Sequence, residues 1–145
     1  VVDWRAIWFL YENVDGAQRG VLLVGNPLTM LLGLVALVWA GVHGFTEGRR
    51  DALALFMLYA VSLGLWIVAD KPVQFYYHYL LPGTFLMGML AVALDAMWQR
   101  GRRTIPLLVL VASVGLFAGF YPILSAAPLA GPQSFAHWMW LDSWR

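Results

Sequence analysis

Cysteine is absent from this 145-residue chain, which excludes a disulfide framework, a thiolate metal site and a cysteine nucleophile. Charge is scarce: 12% of the residues are Asp, Glu, Lys or Arg, about half the share a soluble domain uses to keep its surface wet. The few charges nearly cancel, to a formal net +1, and no basic stripe with interleaved aromatics exists to hold nucleic acid. The sequence has no Gly-rich phosphate loop, no Ser-His-Asp pattern and no facing pair of carboxylates. His43 and His137 have neither a second histidine nor a carboxylate at metal-ligand spacing. Period-two alternation is missing too, which argues against a transmembrane barrel. The chain carries no recognisable self-sufficient catalytic site. It opens on Val1-Val2-Asp3-Trp4 without methionine or a signal-peptide pattern, so it is expected to be a piece of a longer protein.

What is present is apolar and aromatic. Hydrophobic residues make up 61% of the chain, with eight Trp, eight Phe and six Tyr. Four long apolar runs stand out, at 28–45, 52–69, 79–98 and 105–124. Each is close to the roughly 18–20 residues that cross a hydrocarbon core of about 30 Å as a helix. Backbone groups in lipid must be satisfied within their own segment, so the runs predict an all-α membrane protein with about four transmembrane helices. The three parts expected are an external or interfacial segment 1–27, a helix bundle 28–124 and an external aromatic tail 125–145. Arg49, Arg50, Arg100, Arg102 and Arg103 are five of the nine basic residues. They bracket the connections after the first and third runs, whereas the connection between the second and third has only Lys71. The positive-inside rule then places both ends of the segment, and 70–78, outside the membrane's cytoplasmic face.

The flanking segments are not simple tails. Trp4 to Tyr11 is apolar but too short to cross, and is expected as an interfacial helix or a return to the membrane surface. Trp138, Trp140 and Trp144 fall within seven residues, a density suited to the headgroup level. Gly25-Asn26-Pro27 predicts a plain helix start capped by Asn26. Asp95, near the end of the third run, is expected as an interfacial carboxylate paired with Arg100.

The stretch richest in chemistry runs from Asp70 to Gly83. Lys71 is placed where a lipid phosphate would lie, and His78 and the tyrosines can donate hydrogen bonds to a phosphate or a sugar hydroxyl. Two readings stay open on residue types alone: ligand contact by Lys71, Gln74, Tyr77 and His78, or anchoring of a helix mouth by snorkelling side chains.

Taken in order, Leu23-Val24-Gly25-Asn26-Pro27-Leu28, then Phe75-Tyr76-Tyr77-His78-Tyr79-Leu80-Leu81-Pro82, then Trp138 to Arg145 resemble the C-terminal four-helix membrane region of the protein O-mannosyltransferases and their bacterial relatives. The Phe-Tyr-Tyr-His-Tyr-Leu-Leu-Pro run is the most specific part. The resemblance implies a multi-helix membrane glycosyltransferase of the bacterial plasma membrane. Such an enzyme moves mannose or another sugar, with inversion, from a polyprenyl-phosphate carrier to Ser or Thr hydroxyls of exported proteins. The implied partners are membrane lipid, the lipid-linked donor (a substrate, with no certain cofactor), the acceptor protein and preceding helices of the same protein. Gly25, Asn26, Pro27, Pro82, Trp138, Trp140 and Trp144 would be structural motif positions. The family's catalytic acid lies in an earlier external loop, and no residue here matches it, so this chain alone is expected to be inactive. The alternatives are a scaffold, in which Gly33, Gly41, Gly64 and Gly115 let helices approach closely, or a small transporter subunit. The helix cores are apolar apart from Thr29, Ser62 and Ser113, which disfavours transport.

Overall fold

The computed structural model describes residues 8–14, 17–22, 25–69, 76–129 and 134–138. Four long helices dominate: α1 (Pro27–Thr46), α2 (Arg50–Val68), α3 (Leu80–Gln99) and α4 (Thr104–Leu124). Their bounds fall within two residues of the apolar runs. Among the described residues, α1, α3 and α4 are long and apolar enough to cross a membrane. At about 1.5 Å per residue each of these is some 30 Å long, and such helices suit an integral membrane protein.

Local chemistry sets the helix ends. The Asn26 side chain accepts from the Leu28 and Thr29 N–H groups at 3.1 and 3.4 Å, and Pro27 fills the first helical position, where no N–H is needed. Asn26 is thus the cap the sequence led one to expect. α3 stops at Gly101, whose φ of 80° is open to glycine at no steric cost. The Arg102 N–H then bonds to the Met97 carbonyl and the Gly101 N–H to the Trp98 carbonyl, both at 3.0 Å, the paired bonds of a Schellman end. The turns after α1 and α3 lie at the same end of the bundle, which therefore carries Arg49, Arg50, Arg100, Arg102 and Arg103.

The core lies among α1, α2 and α3, where Ala36, Ala40, Ala52, Tyr59, Leu86, Met89, Leu90 and Ala93 are buried together. Close approach depends on small residues on α1. A Cβ on Gly33 would stand 2.7 Å from Leu86 Cγ, and one on Gly44 would stand 3.1 Å from the Leu53 Cα. Gly41 packs tightly too, against Phe56. Gly64 and Gly115, expected to serve the same end, would meet nothing within 4 Å. Outward, α1 exposes Leu31, Val35, Val38, Val42 and Phe45 in one helical stripe, and α4 exposes Leu107, Leu108, Leu110, Val111, Val114 and Phe117. Apolar surface of that extent is not tolerated in water by a monomer, and suits lipid.

The N-terminal segment corrects an expectation. Trp8–Val14 (β1) is not helical; it pairs antiparallel with Ala17–Leu22 (β2), with Tyr11 opposite Gly20 and Val14 opposite Ala17. Aromatic and β-branched side chains favour strands, and the sequence between the two strands is Asp15-Gly16, the pair that two-residue hairpin turns favour. A lone two-stranded ribbon is marginal. Here β2 packs against α4, and Arg19 Nη1 donates to the Ala126 carbonyl at 3.4 Å. Asp95 differs as well. Its carboxylate accepts from Gln99 Nε2 at 3.4 Å, and among the described residues it forms no ion pair with Arg100. Residues four apart share a helix face, whereas residues five apart do not.

Candidate functional site

The end of the bundle away from the arginines gathers the start of α1, the last turns of α2 and α4, the start of α3, the hairpin and Trp138. A 3-10 turn, Tyr76–Tyr79, leads into α3. Pro82 is buried in the first turn of α3, where its missing N–H costs no helical bond. The ring of Tyr79 packs 3.6 Å from where a Cβ on Gly83 would be. This turn sets His78 against α2: its ring lies 4.3 Å from that of Trp66, edge to face at 73°. Next to it the Tyr79 hydroxyl meets the Tyr59 hydroxyl at 3.1 Å, and Ser62 Oγ donates to the Tyr59 carbonyl at 3.0 Å. Tyr59 and Ser62 are both buried. A histidine, two linked phenols and an indole thus share one corner of an otherwise apolar bundle.

Of the residues singled out from the sequence, His78 is placed in this corner. Tyr77 belongs to the 3-10 turn, but its side chain lies outside the described residues, as do Lys71, Gln74, Trp140 and Trp144. Gly25, Asn26 and Pro27 lie elsewhere at the same end. With Leu116, Phe117, Phe120 and Leu124 of α4 they line an apolar recess of about 190 Å³. Asn26 also donates from Nδ2 to the Ser113 carbonyl at 2.9 Å, which ties α1 to α4. Trp138 Nε1 donates to the Gly119 carbonyl at 2.9 Å. That bond lies close to Pro122, which has no N–H to offer the Ala118 carbonyl one turn back.

Tyr59 and Trp66 were not singled out from the sequence, and Ser62 was noted only as a polar residue within a helix core. Their spacing of three and then four residues was the available signal, because it sets all three on one helical face. Among the described residues no group of His, Asp or Glu is placed to hold a metal ion.

The hydroxyl pair makes a test of this corner possible. Tyr79→Phe should destabilise the protein by about 1 kcal/mol, since it leaves the buried Tyr59 hydroxyl without its hydrogen bond. Adding Tyr59→Phe should recover most of that loss. Thermal unfolding of the two variants in detergent checks this, and a double variant worse than the sum of the singles would refute the pairing.

No family model matches this chain, and neither a curated protein nor a solved structure shows significant similarity to it.

Proposed function

We propose that this chain is the membrane-embedded, carrier-facing part of a glycosyltransferase. It would take mannose or another sugar from a polyprenyl-phosphate carrier and pass it to Ser or Thr hydroxyls of exported proteins. The observation that carries the reading is the corner built by residues 76–82. The most family-like stretch of the sequence forms a turn that sets His78 on Trp66 and Tyr79 on Tyr59.

The reading includes four crossings. α2 is 19 residues long, about 28 Å, and packs against both α1 and α3. α1 ends at the arginine-rich end and α3 begins at the other, so α2 spans the same thickness. With arginines on the cytoplasmic face, both ends of the segment and residues 70–78 are external. Because the chain has no cysteine, single cysteines introduced into it, in a background with any cysteines elsewhere in the longer protein replaced, report its sidedness. Pro128→Cys should react with an impermeant maleimide on intact cells, and Thr104→Cys only after permeabilisation. The reverse pattern would overturn the orientation.

In the proposed chemistry, negative charge builds on the carrier phosphate as its bond to the sugar breaks. Fixed cations and hydrogen-bond donors in a site poor in water stabilise that charge strongly. Lys71, Gln74, Tyr77 and His78 are assigned this contact. The base for the acceptor hydroxyl is assigned to other parts of the longer protein, since no residue here matches the family's acidic motif. In the complete enzyme, Lys71→Ala or His78→Ala should raise the apparent KM for the lipid donor about tenfold, the scale of one lost charge-assisted hydrogen bond. Donor kinetics unchanged in both variants would sink the assignment. The second reading, a non-catalytic scaffold, draws on the small-residue face of α1 that packs on Leu86, Phe56 and Leu53. It predicts that neither substitution affects donor use.

A further inference from the structure

The arginine-rich end holds a second recess, distinct from the corner around His78. It measures about 300 Å³ and is lined by Trp39 of α1, by Ala93, Ala96 and Met97 of α3, and by Arg100 and Arg102. The local sequence explains its shape. Alanines at 93 and 96 leave the α3 wall thin opposite the Trp39 indole. The Schellman end at Gly101 then reverses the chain, so that Arg100 and Arg102 flank one opening. Both are exposed.

The charges around this opening do not cancel. Arg49 is already engaged: it donates from Nη2 to Asp51 at 2.6 Å, and its guanidinium lies 5.2 Å from the Trp39 ring centroid. That carboxylate, chiefly through the hydrogen bond, holds Arg49 still more firmly in its charged form. Glu47 faces His43 at 3.6 Å, and Asp95 is bonded to Gln99. Arg103 rests over Trp98, 5.4 Å from the ring centroid. Among the described residues, Arg100 and Arg102 take part in no ion pair. Two guanidinium groups free of carboxylates, at the mouth of a recess backed by Trp39, Ala93, Ala96 and Met97, form a fork suited to phosphate oxygens. Pockets for small ligands start at roughly 300 Å³, enough for a headgroup but not for acyl chains. The chains would lie along the exposed apolar flanks.

We propose that this recess is a binding site for a phosphate group, seated between Arg100 and Arg102 against the Trp39 wall. Basic recesses between transmembrane helices on the cytoplasmic side are a known seat for anionic headgroups. The proposal is independent of the sugar-transfer reading and rests on the bundle sitting in a membrane with its arginine-rich end cytoplasmic.

The test places the protein in phosphatidylcholine nanodiscs with graded phosphatidylglycerol, and counts by native mass spectrometry which lipid stays bound. A parallel arm titrates inorganic phosphate into phosphatidylcholine-only discs. Wild type should retain phosphatidylglycerol in preference. The pair Arg100→Gln/Arg102→Gln should weaken that retention about 100-fold, roughly tenfold for each charge-assisted contact. The equal-charge pair Arg50→Gln/Arg103→Gln, whose positions do not line the recess, should weaken it far less. Ala96→Leu fills the recess without changing charge and should cost about tenfold, with helicity by circular dichroism unchanged. Phosphatidylglycerol held where inorganic phosphate is not assigns the site to a lipid headgroup. Inorganic phosphate bound in an Arg100- and Arg102-dependent way assigns it to a soluble phosphate. Equal losses from the two arginine pairs, no effect of Ala96→Leu, or binding of neither probe would overturn the proposal.

Discussion

Gly33→Ala should lower the stability of the bundle by about 1–2 kcal/mol, even though alanine is the better helix former. The added methyl would stand 2.7 Å from Leu86 Cγ and 2.9 Å from its Cδ2. Leu86 is 1% exposed, and Cγ is the branch point of its side chain, so it has no space to swing into. Overpacking of this kind costs about 1–3 kcal/mol, against a gain of roughly 0.5–1 kcal/mol from removing a helical glycine. The overpacking wins. In lipid the balance weighs more heavily still on packing, because no hydrophobic force drives helices together there. Leu86→Ala alone opens a cavity and should cost about 2–5 kcal/mol. Combined with Gly33→Ala it should cost clearly less than the sum, with a coupling of about 1 kcal/mol or more. Unfolding of the four proteins by titration with a denaturing detergent measures that coupling. A stabilised Gly33→Ala would show that α1 and α3 do not approach as closely as described.

Asn26→Ala should cost about 2 kcal/mol, because one side chain serves two helices. Its Oδ1 accepts from the first turn of α1, and its Nδ2 donates to the Ser113 carbonyl of α4. Loss of a cap costs about 1 kcal/mol, and a hydrogen bond between membrane helices adds roughly 0.6–1 kcal/mol. Asn26→Ser separates the two terms: serine still caps but is too short to reach Ser113, so about half the loss should return. Hydrogen exchange around Ser113 should rise in both variants, whereas exchange at Leu28 and Thr29 should rise only with alanine. Equal protection at Ser113 in all three proteins would refute the link between α1 and α4.

The four helices were legible because each long apolar run satisfies its own backbone as a helix. Among the described residues α1, α3 and α4 are the ones long and apolar enough to cross a membrane, and the helix ends differ from the runs by up to two residues. The run at 52–69 starts two residues early as helix because Arg50 and Asp51 remain helical where the bundle meets water. The hairpin was harder to read. Eight mostly apolar residues fit a short helix as well as a strand, and Asp15-Gly16 was the discriminating pair. His78 was legible as a candidate by type, but its neighbours were not. Trp66 comes to it, and Tyr59 to Tyr79, across an interface between helices, and nothing local in the sequence encodes those contacts beyond a shared face on α2. Asp95 was paired with the wrong neighbour because nearness along the chain was taken for nearness around the helix.

The four helices are not held equally. α4 buries Phe120 and Ile123, and its last two turns receive Trp138, with the β2 arginine just beyond at Ala126. Asn26 reaches it at Ser113, halfway along. Before that point no residue of α4 is buried. Mechanically it is a beam fixed firmly at its aromatic end, whereas its other half is tied to α3 through the 100–103 turn. A push on that turn would flex this half of α4 before it disturbed the clamp at Trp138 or the corner around His78.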